Sequence, residues 1–282
     1  FFNPRRTVMA LRRLVAWLVR LAGGAPNHLA LIMDGNRRYA RMHGLASAVD
    51  GHQRGFAKLI EALEWCRDLD VKVLTVYAFS SENFRRSHAE VDALMKLAET
   101  KLSQLASDES LHKREVRVRV CGELHLLPSE VRRAADAVMR ATEKYERHTL
   151  NIMMPYTSRE ELWSAARRCA TSSSSSCTSS SSLSVPDECG EESSDADLSR
   201  LLYTAPNPPV DLLVRTSGEN RLSDFLTYQA SDAALVFLDV LWPALTFWDL
   251  LSSVVRWQAF SAQRRWTQFH QNSNVVATAK KL

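Results

Sequence analysis

An open α/β fold built on a largely parallel sheet is what this sequence predicts, and three observations predict it. Six short apolar runs punctuate the chain, and segments of helical periodicity lie between most of them. Polar and charged clusters follow directly after three of the runs. Strand alternating with helix implies right-handed crossovers and a sheet covered on both faces. In such a sheet ligands bind beyond the carboxyl ends of the strands, where these clusters stand. At 282 residues, 45% hydrophobic and 24% charged, the chain can bury a sizeable core.

The elements follow in order. Residues 8–22 form a helical pattern with Arg12, Arg13 and Arg20 on one arc and Leu11, Leu14, Val15, Trp17, Leu18 and Leu21 on the other side. This pattern suits a basic amphipathic helix lying in a membrane interface, or a helix packed on its own domain or on a partner. Expected strands span 28–33, 71–79, 116–121, 150–153, 212–215 and 235–237, each a run of the kind buried parallel strands show. Helical patterns occupy 52–69, 88–106, 128–147 and 158–170, and a long closing helix spans about 246–271.

Residues 171–199 interrupt the alternation with nine serines inside 172–182 and then an acidic stretch. Such a segment buries too little apolar area to offset its ordering entropy, so it reads as a disordered insertion. A helical turn over 198–203 and a Pro-rich 206–209 lead back into a strand. The expected organisation is an amphipathic segment 1–24, one domain over 25–272 with the insertion at 171–199, and a tail 273–282.

Composition excludes several classes. A net charge of +4 without zinc, RNA-binding or basic-zipper signatures argues against nucleic acid. The five cysteines form no C-x-x-C pair, which reads as reduced thiols rather than disulfides or zinc ligands. No G-x-x-x-x-G-K-[ST] or strand-linked G-x-G-x-x-G is present. No stretch approaches the roughly 18 uninterrupted apolar residues of a membrane span.

Three loops remain. The first is Asp34-Gly35-Asn36-Arg37-Arg38, where glycine allows a tight turn and a helix should start at about residue 37. An aspartate among arginines suits a diphosphate only if a cation bridges them, and Mg²⁺ does so with one or two carboxylates plus phosphate oxygens. An Asp-Gly turn with solvated arginines remains open at this stage. The second loop, Ser80 to Arg86, offers hydroxyls, the Asn83 amide and two guanidiniums, and also suits a plain helix cap. The third places Arg215, Arg221 and Ser223 around Gly218 as a forked anion clamp, or as ion pairs with Glu219 and Asp224. Apolar positions from Val91 to Leu102 on the helix 88–106 suit core packing, and equally the lining a hydrocarbon would need.

The segments HLALIMDGNRRYA, VYAFSSENFRRS, DLLVRTSGENRLSDFL and FLDVLWP closely resemble the signature regions of the cis-prenyltransferases. That family includes bacterial undecaprenyl diphosphate synthase and eukaryotic dehydrodolichyl diphosphate synthase. The resemblance implies a six-stranded, mostly parallel sheet surrounded by helices, with a hydrophobic tunnel. It implies condensation of isopentenyl diphosphate onto an allylic diphosphate such as farnesyl diphosphate. Asp34 would hold Mg²⁺; Gly35, Asn36, Arg37, Arg38 and Arg86 would hold the allylic diphosphate; Arg215, Arg221 and Ser223 would hold isopentenyl diphosphate. Ser80, Asn83 and His52 match positions near the reacting centre, and Asp34, Asn36 and Asn83 are the catalytic candidates.

Departures from the bacterial pattern sharpen the expectation. Arg37 replaces a glycine, and Ala46, Ser47 and Ala48 stand where an arginine occurs. Ala234 replaces a carboxylate, with Asp232 two residues away. Arg37 and the TSG sequence at 216–218 look like the eukaryotic dehydrodolichyl type. An R-x-G element is not found after residue 260. The resemblance therefore implies a Nogo-B-receptor-like partner subunit that supplies it, dolichol-type products, and a peripheral place on the cytoplasmic face of the endoplasmic reticulum membrane. A non-catalytic subunit of the same complex and a synthase of other chain length are the alternatives.

Overall fold

The computed structural model describes residues 4–175 and 198–279. In chain order the elements are α1 (Pro4–Gly23), β1 (His28–Ile32), α2 (Asn36–Met42), α3 (Ala48–Asp68), β2 (Val73–Tyr77), α4 (His88–Ala106), α5 (Glu109–Lys113) and β3 (Val116–Cys121). They continue with α6 (Ser129–Thr142), β4 (His148–Met153), α7 (Ser158–Ser175), β5 (Leu212–Arg215), β6 (Ala234–Phe237) and α8 (Phe247–Ala279).

The six strands form one sheet in the order β3-β4-β2-β1-β5-β6, and every pair is parallel. The sheet agrees with the sequence expectation, and "mostly" parallel becomes wholly parallel among these strands. The spatial order carries the functional consequence. The three polar loops follow β1, β2 and β5, which lie side by side, and Ile32 is level with both Tyr77 and Arg215. Residues 34, 80 and 216 are far apart in sequence and converge because their strands end together.

Alternation along β1 shows why the sheet is covered on both faces. Leu29 and Leu31 pack into the larger apolar layer with α3, α4, α6 and α8. Ala30 and Ile32 face a smaller layer built with Tyr156, Leu213 and Phe225. Leu29, Leu31 and Leu212 are essentially fully buried; burying such a side chain contributes about 1.5–3 kcal/mol. Thr75 and Asn151 lie on the central strands yet are buried, and they are satisfied by each other and by His28.

Several expected boundaries shift for identifiable reasons. β2 is shorter than 71–79 because Val71 is held in the turn after α3, its N–H donating to Cys66 O. The helix expected over 128–147 ends at Thr142, whose hydroxyl donates back to Val138 O. Ser47, flagged as a departure, caps α3 in a reciprocal capping box with Asp50. α7 continues through Ser175, into the segment expected to be disordered; the rest of that insertion, 176–197, lies outside the described residues. α8 stays helical to Ala279, where a tail was expected from 273.

α1 is helical as expected, but its arginines at 12, 13 and 20 lie against the protein's own acids, with Arg12 the most shielded. Arg12 donates to Asp68 of α3 at 2.9 Å, Arg13 lies 3.7 Å from the same carboxylate, and Arg20 reaches Asp70 at 3.3 Å. Ala16 is fully buried, while Leu11, Leu14, Trp17, Leu18 and Leu21 are all about half exposed or more. The outward face is therefore apolar, and most of the positive charge is spent on the protein's own acids. Among the described residues no helix is long and apolar enough to cross a membrane.

Candidate active site

Asp34 stands two residues past the end of β1, and its backbone is fixed from three sides. Its N–H donates to Thr216 Oγ1 at 3.0 Å, while the Thr216 hydroxyl and the Trp242 N–H both donate to Asp34 O, at 2.8 and 2.9 Å. Gly35 follows at φ +105°, which glycine tolerates, and a Cβ there would press against the Leu241 backbone. The Gly35 N–H donates to Asp34 Oδ1 at 2.7 Å, which aims the carboxylate. α2 begins at Asn36 and is only seven residues long.

Arg215 joins the first loop to the third. It is buried at the end of β5, donating from Nη2 to Asp34 Oδ2 at 2.8 Å and from Nη1 to Ser223 Oγ at 2.7 Å and to Arg221 O. Its Nε has no partner. A buried guanidinium needs such partners to offset desolvation. Of the ion pairs open to this loop, Arg221 makes the one with Glu219, Asp224 pairs with Arg159 instead, and Arg215 turns to Asp34. Glu219 instead pairs with Arg221 and lies 3.6 Å from Arg38, which also donates to Ser217 O at 3.0 Å.

The second loop supplies the other arginine pair. Arg86 donates to Glu90 at 2.9 Å, and Arg37 lies 3.7 Å from the same carboxylate. Burial, and then the neighbouring Arg37, holds the Arg86 pKa below its usual range, an anion-hungry arrangement. Ser80 Oγ accepts from the Glu82 N–H, and Asn83 Oδ1 accepts from the Ser80 N–H, both at 3.2 Å. The cap reading of this loop is thus correct, and it coexists with a place in the cavity.

All twelve expected site residues line one polar cavity of about 370 Å³: Asp34, Gly35, Asn36, Arg37, Arg38, His52, Ser80, Asn83, Arg86, Arg215, Arg221 and Ser223. Asn36, His52, Asn83 and Arg86 also line a second, apolar cavity between α3, α4 and the sheet. Leu94, Met95, Leu97, Ala98 and Leu102 of α4 face that second space, so the helical stripe lines a cavity as well as packing. Val91 does not line it.

Two residues sit at the seam with unmet hydrogen-bonding capacity. Asn36 Oδ1 and His52 Nε2 are buried without a partner. Burial, reinforced by Arg86, lowers the His52 pKa to about 4, so the ring is neutral at pH 7. Because the folded value lies below the usual 6.5, the unfolded chain takes up this proton first as pH falls. Stability should therefore drop between pH 6.5 and 4, by up to about 3 kcal/mol from this group. His52→Gln should flatten that part of the curve, as read from urea midpoints at pH 7 and 4.5; an unaltered pH dependence would contradict the assignment.

The structure adds residues that sequence reasoning passed over. Thr216 clasps the Asp34 backbone, and Glu90 occupies Arg86 and Arg37. Gly51 and Gly55, four apart on α3, let that helix approach Asn36 so closely that a Cβ at either would collide with it. That i,i+4 glycine pair within GHQRG was a readable sign of close helix contact. Asp232 is not near Asp34: it pairs with Arg264 of α8 at 3.2 Å and lines neither cavity. Ala234 is buried in the first position of β6. Among the described residues no group of three or more His, Cys, Asp or Glu forms a cage for a metal.

A cradle of arginines above a parallel sheet, opening into an apolar cavity, suits an anionic headgroup carried on a hydrocarbon chain. The profile of the family described as putative undecaprenyl diphosphate synthase matches residues 32–267. The chain belongs to this cis-prenyltransferase family and is a prenyl-transferring enzyme. It is 44% identical over 238 residues to the dehydrodolichyl diphosphate synthase complex subunit of Homo sapiens, covering 84% of this chain and 68% of that one. It is 41% identical to the geranylgeranyl-diphosphate-specific tritrans,polycis-undecaprenyl-diphosphate synthase of Thermococcus kodakarensis, covering 86% and 88%. It is 40% identical to the isoprenyl transferase of Thermus thermophilus, covering 90% and 97%. The crystal structure of lavandulyl diphosphate synthase from Lavandula x intermedia with dimethylallyl diphosphate aligns with a TM-score of 0.73 at 28% identity, covering 83% and 95%.

Proposed function

We propose that the chain condenses isopentenyl diphosphate onto farnesyl diphosphate to build a long-chain cis-polyprenyl diphosphate, the precursor of dolichol. The observation that carries this reading is the junction of the two cavities. Six arginines and Asp34 line the polar one, which meets the apolar one at Asn36, His52, Asn83 and Arg86. An allylic diphosphate laid across that junction would keep its phosphates among Arg37, Arg38 and Arg86 and its hydrocarbon along α4. Isopentenyl diphosphate would occupy the clamp of Arg215, Arg221 and Ser223.

The chemistry forms one carbon–carbon bond, from the isopentenyl double bond to the allylic C1. The allylic C1–O bond breaks, diphosphate leaves, and a proton is lost to leave a cis double bond. The arginines offset charge growing on the departing diphosphate. Exchanging Glu90 and Glu219 for phosphate oxygens would free four of these arginines for substrate.

The donor set fits Mg²⁺ of the kind that keeps several waters and takes one protein carboxylate together with phosphate oxygens. Asp34 is the residue that would hold it, with its side chain about one-third exposed to the cavity. Bound there with diphosphate, the ion would supply charge stabilisation to the leaving group.

The dolichol assignment rests on the human relative's name and on Arg37 and the TSG segment, while the archaeal relatives are named for undecaprenyl products and a geranylgeranyl primer. Labelled isopentenyl diphosphate incorporation with farnesyl or geranylgeranyl diphosphate, followed by sizing of the products, tests primer and length together. Products of undecaprenyl length or shorter would overturn the dolichol reading.

The human relative is named as a complex subunit, and α8 of this chain exposes Trp248, Val255 and Trp266. Both support a partner subunit of the Nogo-B-receptor type that contributes an R-x-G element to the site. Strong long-chain synthesis by the chain alone would remove that proposal. The outward apolar face of α1 supports a peripheral segment over 1–24, beside a catalytic domain over 25–272, at the cytoplasmic face of the endoplasmic reticulum. Leu14→Ser with Trp17→Ser should abolish sedimentation with phosphatidylcholine vesicles; retained sedimentation would argue against this contact.

A further inference from the structure

The isopentenyl clamp depends on a turn that is held from outside. Ser223, Asp224 and Leu226 all have left-handed backbones, at φ +50°, +59° and +46°. Side-chain-bearing residues adopt this region rarely, so three in four positions need external support. Ser223 is the residue whose Oγ accepts from Arg215 at 2.7 Å.

The support comes from the start of α7. The Ser158 N–H donates to Asp224 O at 2.8 Å, and the Arg159 N–H donates to Asp224 Oδ1 at 3.2 Å. Arg159 Nε adds a charge-assisted bond to Asp224 Oδ2 at 2.9 Å. Ser158 Oγ lies 2.5 Å from Thr227 Oγ1 and accepts from the Thr227 N–H at 3.1 Å, closing the turn on its far side. Asp224 thus satisfies two otherwise orphaned N–H groups of a helix from a different part of the chain. Its side chain is largely shielded even though Arg159 is exposed. Neither Asp224 nor Arg159 lines the polar cavity.

We infer that Asp224, locked onto the first turn of α7, is a positioning residue that sets the Ser223 hydroxyl for the isopentenyl diphosphate. This rests on the reading that the third loop is the isopentenyl site. The second loop also touches this turn of α7, through Ser81 to Glu160 at 3.0 Å and Glu82 to Arg159 at 3.9 Å, but the bonds that hold Ser223 run through Asp224 and Thr227. The geometry separates it from a general fold contact: a glycine at 224 accepts φ +59° freely, so it relieves the backbone while removing both side-chain acceptors.

The test is steady-state kinetics on the full chain, in the assembly that supports turnover, with isopentenyl and farnesyl diphosphates varied separately. Asp224→Gly should raise the isopentenyl KM about tenfold, the scale of one charge-assisted contact, with kcat and the farnesyl KM within about twofold. Asp224→Asn keeps an acceptor for the Arg159 N–H and should give a smaller rise; it also carries the test should the glycine variant fold poorly. Combined with Ser223→Ala, Asp224→Gly should add little, because the two act through one hydroxyl. An unchanged isopentenyl KM, an equal rise in both KM values, or full additivity with Ser223→Ala would overturn the inference. Ser223→Ala alone separates this claim from the one beneath it. If that variant raises the isopentenyl KM and Asp224→Gly does not, the positioning role falls and the substrate assignment stands. If it raises the farnesyl KM instead, the substrate assignment falls and this inference with it.

Discussion

Asp34→Ala should lower kcat for isopentenyl diphosphate condensation by about a thousandfold while moving both KM values only a few-fold, since its charge matters most when the leaving group develops its own. The physical case is that Asp34 is the one carboxylate at the centre of the cradle that is held by the backbone rather than by a long flexible side chain. Its N–H, its C=O and one carboxylate oxygen are all committed to fixed partners. Asp34→Asn should be nearly as inactive, because it retains the acceptor for the Gly35 N–H and loses only the charge. Raising Mg²⁺ should not restore either variant. Unchanged activity of Asp34→Ala in a complex would instead favour the reading of this chain as a non-catalytic subunit. Six arginines lining one cavity around Asp34 against few acids speak against that alternative.

Arg215→Met should raise the isopentenyl KM by about a hundredfold, the scale of losing a bidentate charged contact. It should also lower stability by about 2 kcal/mol, because Ser223 Oγ and Arg221 O lose their buried donor. Kinetics and urea midpoints measured on one preparation check both parts. Arg215→Lys should recover most of the stability and little of the KM, since one ammonium cannot reach Asp34 and Ser223 in the fork that the guanidinium spans. A lysine variant with normal KM would show that the clamp needs charge alone. Among the described residues Arg215 is the one ion-pair partner of Asp34, so its loss should move the farnesyl KM too, though less.

Much of this site was legible because its parts obey local rules. Gly35 after a strand, followed by two arginines, announces a tight turn and an anion whichever fold surrounds it. The sheet was legible for a similar reason: parallel strands buried on both faces read as unbroken apolar runs. What stayed hidden was long-range. Thr216 is an ordinary residue until β5 is known to lie beside β1, and only then does its hydroxyl meet Asp34. Glu90 lies four residues beyond Arg86 on the start of α4, and nothing in the sequence says that Arg37 shares it. The pairing of the α1 arginines with the protein's own acids was hidden too, because Asp68 and Asp70 are fifty or more residues away and periodicity gives two faces without saying which one is outside. Asp232, two residues from Ala234, is another case where sequence distance says nothing of direction: its carboxylate pairs with Arg264 of α8.

The pairing of β1 with β5 also bears on how the molecule is made. Residues 29 and 212 are neighbours in the sheet, yet the whole of β2, β3 and β4 lies between them along the chain. Closing so long a loop is entropically costly and slow compared with forming the adjacent β1–β2 unit. During synthesis the allylic loops of residues 34–38 and 80–86 are therefore complete long before the strand that carries Arg215 has left the ribosome. For that interval Asp34 lacks the Arg215 guanidinium and the edge of β1 is unpaired, exposing backbone N–H and C=O groups. A chain interrupted before residue 211 would carry an open strand edge and half a catalytic centre, the combination that invites aggregation and disposal by quality control.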